Sequence, residues 1–190
     1  MDNRAARYFL IGYTGWFISV VVCIFLLPHS LVANGGISYF SDHTITAVPY
    51  SAGVLLLAFF SYKVAQALPR NSQKVMRAGF KIFSVLLIAV VAIPYGINFT
   101  FEYIHTLLSA TLFLFQFIIM WWLAFKVRWD GISLLLLVLL AAEMIATVMY
   151  LGPRKGYLLE GELIFQLTFA IAAYRSIKHI ISKTKPNDKG

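Results

Sequence analysis

The chain has little of what a soluble domain relies on. Only 13% of its 190 residues are charged, Asp and Glu number 8, and there is one cysteine. Soluble chains are about a quarter charged and about half apolar. Here 60% of the side chains are hydrophobic and mean hydropathy is +0.78, too much apolar surface to keep from water, so the expected solvent is lipid. Cys23 stands alone in an apolar run, which excludes an intramolecular disulfide and leaves helix packing to hold the fold. The sequence also lacks G-x-S-x-G, a Walker loop, H-E-x-x-H and a cysteine pair. No motif calls for a cofactor or a metal. No basic module or stacking platform lies outside the apolar runs, so nucleic acid is not an expected partner.

What is present is six long apolar runs: about Tyr8 to Leu27, Ile45 to Tyr62, Gly79 to Asn98, Phe101 to Phe125, Ile132 to Leu151 and Leu158 to Ile177. At about 1.5 Å per residue they cover about 27 to 38 Å, against a hydrocarbon core of about 30 Å. They lack the period-two alternation of barrel strands, and lipid-exposed backbone must bond to itself, so each is expected to be a helix. The expected fold is all-α: a polytopic membrane protein with one six-helix domain over residues 1–181 and a polar tail over 182–190.

Charge placement agrees with an even number of spans. Basic residues stand before the first run (Arg4, Arg7), after the second (Lys63 to Lys81), after the fourth (Lys126, Arg128) and after the sixth (Arg175 to Lys189). Of the 16 Lys and Arg, only Arg154 and Lys155 fall on the other side. The positive-inside rule then places both termini in the cytoplasm. The first run is longer than the 7 to 15 residues of a signal-peptide core, so it is expected to remain as a span. The short connections point to a multi-pass protein of a prokaryotic cell membrane. Asn98-Phe99-Thr100 fits the glycosylation pattern but lies too close to the bilayer to serve as an acceptor.

Polar residues recur on single helical faces. The fourth run carries Glu102, His105, Ser109 and Gln116; the fifth Glu143, Thr147 and Tyr150; the sixth Glu162 and Gln166. Lipid does not solvate such groups, so the three faces should turn toward one another or toward a water-filled cavity. An ionisable group near mid-span costs about 2.5 to 3.5 kcal/mol on insertion scales, which makes Glu143 the sharpest signal. Glu143 and Gln166 are expected to share one layer. His105, Glu162 and Glu102 should form a second, nearer the connection that carries Asp42 and His43.

These positions define an expected outward-facing pocket for a lipid headgroup or another amphipathic ligand. Glu143, His105, Glu102, Glu162, Gln166, Asp42 and Tyr150 would line it, with Arg154 and Lys155 at its mouth. Membrane lipids are the expected partners. Gly12, Gly15, Ser19 and Cys23 form a small-residue face on the first run, suited to close packing within the chain or to a membrane protein partner. Two other functions fit the pattern. One is the substrate-binding subunit of a vitamin transporter, which would dock through that face. The other is an intramembrane lipid hydrolase with a metal held by Glu102, His105 and Asp42, since Glu-x-x-His puts a carboxylate and an imidazole on adjacent turns.

The stretch Gly-Ile-Ser-Tyr-Phe-Ser-Asp (Gly36 to Asp42), with Pro49 beyond it, and Ile-His-Thr-Leu-Leu-Ser-Ala-Thr-Leu-Phe (Ile104 to Phe113) resemble the DRAM/FRAG/SFK group of six-span membrane proteins. Related prokaryotic six-span families look similar. The resemblance covers most of the chain as topology and two short stretches as motif. It implies lipid-linked work and makes Ser38, Asp42 and His105 the positions of interest.

Overall fold

The computed structural model describes residues 3–31, 36–69, 74–126, 138, 139, 141 and 158–183. Among them there are five long helices and no strand: α1 (Arg4–Leu26), α2 (Thr44–Ala67), α3 (Lys74–Ala92), α4 (Phe99–Lys126) and α5 (Leu158–Lys183). Two short 3₁₀ turns, Pro28–Leu31 and Ile37–Ser41, carry the chain from α1 to α2. Of the fifth apolar run, residues 138, 139 and 141 are helical and the rest lies outside the described residues.

Among the described residues four helices, α1 to α4, are long and apolar enough to cross a membrane. α5 has the length, but Glu160, Glu162, Gln166 and Arg175 dilute its apolar run. The surface supports the lipid reading. Leu10, Ile18, Phe59, Val85, Leu107, Ile118 and Leu167 are exposed on successive helices, and Phe25, Val48 and Phe99 are more than three-quarters exposed. An apolar coat of this extent is what a lipid-facing surface presents.

Helix α1 packs against α2 and α5, α2 against α3, α3 against α4, and α4 against α5, so the five helices close a ring. Aromatic rings fill its middle. Tyr13 touches Phe9, Trp16, Phe17 and Phe169, and Phe83 meets Phe169 from across the ring.

The small-residue face of α1 meets α2. A methyl group on Gly12 would sit 2.8 Å from Cβ of Phe60, and one on Gly15 would run into Leu56. On α2, Gly53 rests directly on Ser19. This approach also carries hydrogen bonds: the Ser19 hydroxyl donates to the Pro49 carbonyl, and the Cys23 thiol to the Thr46 carbonyl at 3.6 Å. Both acceptors lie in the first turns of α2, where Pro49 takes a donor out of the ladder. The small-residue face, suited on its sequence to packing within the chain or to a membrane protein partner, packs here on α2.

Most helices extend a few residues past the expected apolar runs, and α3 alone ends well short of its run. The third run was expected to stay helical to Asn98, yet α3 stops at Ala92. Pro94 has no N–H and biases Ile93 away from helical geometry, and Gly96 adopts φ +89°. The chain then restarts at Asn98, whose side-chain oxygen accepts the Phe101 N–H at 3.0 Å and caps α4.

Because a β-carbon at Gly53 would overlap Ser19, Gly53→Ala is expected to cost about 1 to 3 kcal/mol through overpacking. In detergent this should appear as a thermal midpoint several degrees lower. An unchanged midpoint would mean that α1 and α2 do not hold this spacing in solution.

Candidate functional site

The site is built from a helix that ends early. Without a Pro94 N–H, the Val90 carbonyl loses its i+4 donor, and the Ile93 carbonyl is left outside the ladder. His105, two turns into α4, supplies the replacement. Its Nδ1 lies 2.5 Å from the Ile93 carbonyl, and the Val90 backbone is a second neighbour of the ring. A carbonyl only accepts, so Nδ1 carries the proton and donates. In the neutral ring Nε2 is then an acceptor, and it lies 2.9 Å from the Ser38 hydroxyl. The ring is buried, 1% exposed, and Tyr95 stands edge-on to it with centroids 5.7 Å apart.

Ser38 sits on the second 3₁₀ turn, which is held on three sides. The Ser41 hydroxyl donates to the Ser38 carbonyl at 2.7 Å, closing the turn on itself. The Tyr95 N–H donates to the Ser41 hydroxyl at 3.3 Å, tying the turn to the α3–α4 connection. From α5, a Glu162 carboxylate oxygen accepts the Ile37 N–H at 2.5 Å. That approach needs glycine before it: Gly36 adopts φ +60°, and a β-carbon there would sit 2.5 Å from the Glu162 carboxylate.

Behind the turn lies a cavity of about 40 Å³ lined by all five helices and by Ile37 and Ser38. Its polar lining is Ser38, Tyr50, Ser109, Glu162 and Gln166; Trp16, Leu57, Val90 and Phe113 belong to its apolar wall. A space of this size holds two or three waters or one small polar group. The Tyr50 hydroxyl stands beside the Ser38 hydroxyl and within electrostatic reach of Glu162.

A second polar layer closes the cavity. Gln116 of α4 and Gln166 of α5 exchange amide hydrogen bonds at 2.9 and 3.0 Å, and the Gln116 amide also donates to the Tyr13 hydroxyl at 3.3 Å. Both side chains are buried, at 0% and 5% exposed, so three helices share one satisfied network.

The sequence-derived residues are distributed as follows. His105, Glu162 and Gln166 come together around the turn and the cavity. Gln166 spends its amide on Gln116. Asp42 and Glu102 lie to one side, near Tyr95. There, burial and then the two neighbouring carboxylates hold the Tyr95 phenol above its ordinary pKa. Asp42 also packs onto Gly96, whose missing side chain makes room for it. Glu102 is half-buried in the first turn of α4, where the helix dipole favours an acid. Among the described residues, no three His, Cys, Asp or Glu side chains converge to hold a metal ion. Glu143, Tyr150, Arg154 and Lys155 lie outside the described residues.

Polarity alone passed over Tyr50, Tyr13 and Ser38. A tyrosine in an apolar run does signal a need for a hydroxyl partner. A serine in a polar connection carries no such signal; the family resemblance pointed to it, and its bond to His105 gives it a partner. No protein-family model, no curated protein and no solved structure matches the chain.

Truncating one member of the glutamine pair should leave a buried amide without a partner. Gln116→Leu is expected to destabilise by about 1 to 3 kcal/mol, while the double variant with Gln166→Leu recovers most of that loss. Equal, additive losses in a thermal double-mutant cycle would show that the pair is not coupled.

Proposed function

We propose that this membrane protein binds a lipid headgroup or another amphipathic ligand in the polar cavity between Ser38, Tyr50 and Glu162. The observation that carries the reading is the cavity itself: five polar side chains gathered among helices whose outer surfaces are apolar. A ligand with a small polar head and an apolar body fits that pairing. The head would meet Ser38 and Glu162. Glu143, Tyr150, Arg154 and Lys155 are carried over from the sequence pattern as further contacts, with Glu102 and Asp42 on the approach.

In this proposal the chain crosses the membrane six times with both termini in the cytoplasm of a prokaryotic cell. Support comes from the confinement of all basic residues but Arg154 and Lys155 to one side. The cavity then opens toward the outer face, because the 28–43 connection lies at that end. A kinship with the DRAM/FRAG/SFK-like proteins belongs to the same reading and rests on the two short stretches around Ser38 and His105. A transporter-subunit role draws no support from α1, whose small residues meet α2.

Native mass spectrometry of the protein extracted gently from its own membrane tests the proposal. The expected result is a retained lipid mass that Glu162→Gln and Glu143→Gln each reduce while the folded yield holds. Extraction of a ligand-free protein under conditions that preserve annular lipid would count against it. Reporter fusions at each terminus and at Arg154 check the topology: both termini should read as cytoplasmic and Arg154 as external.

A further inference from the structure

The hydrogen bonds around Ser38 have the direction of an activated nucleophile. Ser38 Oγ donates to His105 Nε2 at 2.9 Å, and His105 Nδ1 donates to the Ile93 carbonyl at 2.5 Å. A serine, a base, and a third group that fixes the base's tautomer are the elements of nucleophilic catalysis, recognised by geometry and role and independent of sequence order. Here a backbone carbonyl takes the orienting place usually held by a carboxylate. The serine lines a cavity, and the base is 1% exposed. We infer that Ser38 is an acyl-accepting nucleophile, with His105 as its general base, acting on an ester bond of a membrane lipid.

This inference rests on the cavity being the ligand site. The cavity of about 40 Å³ is of a size to take a carboxyl ester group. Ser38 Oγ adds to the ester carbonyl carbon while its proton passes to His105 Nε2. The adduct collapses by breaking the bond to the alkoxy oxygen, which leaves as the alcohol with that proton. Water then attacks the acyl–Ser38 ester, giving one proton to His105. Release of the acid returns that proton to the Ser38 oxygen. The sum is one ester and one water converted to one acid and one alcohol. Tyr50, which lines the same cavity as Ser38, carries the hydroxyl we assign as donor to the oxyanion.

The test uses the full chain in phosphatidylethanolamine–phosphatidylglycerol nanodiscs and a hexadecyl fluorophosphonate. Attack by Ser38 on phosphorus expels fluoride and leaves a covalent mass that peptide mapping assigns. The expected result is labelling at Ser38 that Ser38→Ala abolishes and His105→Asn slows by about 10²- to 10⁴-fold. Asparagine keeps a donor near the Nδ1 position for the Ile93 carbonyl and removes the Nε2 acceptor, so the cap on α3 is retained while the base is lost. Ser61→Ala, near the far end of α2, should label as the parent does. Should His105→Asn fail to elute as a folded species, Ser38→Cys supplies the second measurement. Its alkylation by iodoacetamide should rise through an inflection below the ordinary thiol range of about 8.5, and an inflection at or above that range overturns the pairing. Labelling at Ser38 that is equally fast in His105→Asn overturns the relay. A protein that retains lipid yet leaves Ser38 unlabelled overturns the nucleophile and spares the cavity reading. A protein that neither retains lipid nor reacts overturns both.

Discussion

In a hydrocarbon surrounding, a carbonyl that loses its helical donor has to be met by another donor from the protein, because water is not there to do it. Pro94 creates that situation at the end of α3, and His105 answers it. The rest of the site follows from this one bond. Committing Nδ1 to a carbonyl fixes the tautomer and the ring plane, which aims Nε2 at the 36–42 turn. Ser38 completes the line. Glu162 then holds the same turn from the opposite wall by taking the Ile37 N–H. A connection that would otherwise be a surface loop is thereby drawn over the end of the helix ring and becomes one wall of a cavity.

The packing of the helices obeys the same scarcity of water. Lipid tails are as apolar as leucine, so helices gain little by hiding leucines from them. Close backbone approach and internal hydrogen bonds do more, and the structure uses both where the ring needs them. Gly12, Gly15 and Gly53 bring α1 and α2 together until Ser19 and Cys23 reach the carbonyls of α2. The Gln116–Gln166 pair and Tyr13 join α4, α5 and α1 at the middle of the ring. Ser84 of α3 donates to the Ala58 carbonyl of α2 at 2.8 Å in the same way. Apolar groups cover the outside as well as filling the core, and the exposed Phe25, Val48 and Phe99 are ordinary in that light.

Much of this was legible in the order of residues. The polar stripe His105, Ser109 and Gln116 has a spacing that only a helix brings to one face, and a membrane leaves that face nowhere to turn except inward. Glu162 and Gln166 share a face of α5 for the same reason. The partners of these residues were not legible. The spacing of His105 does not say that it would cap α3, because the need arises from a proline eleven positions earlier and from the antiparallel return of α4 along α3. Nor does Gln166 say whether its amide is free for a ligand; Gln116 takes it, and the two are 50 residues apart in the chain.

Composition and periodicity determined that the chain is helical and belongs in a membrane, since those properties are sums over many residues and survive any error in a single one. They determined as well which faces of α4 and α5 point inward, because helical spacing and the cost of burying polarity in lipid act locally. Only the tertiary structure decided which groups meet: that Glu162 bonds the backbone of the 36–42 turn, that Asp42 and Glu102 stand beside Tyr95 and apart from the cavity, and that Ser38 pairs with His105. Such pairings join segments as much as 125 residues apart. They depend on helix rotation and on distances of a few ångström, to which a periodic pattern is indifferent.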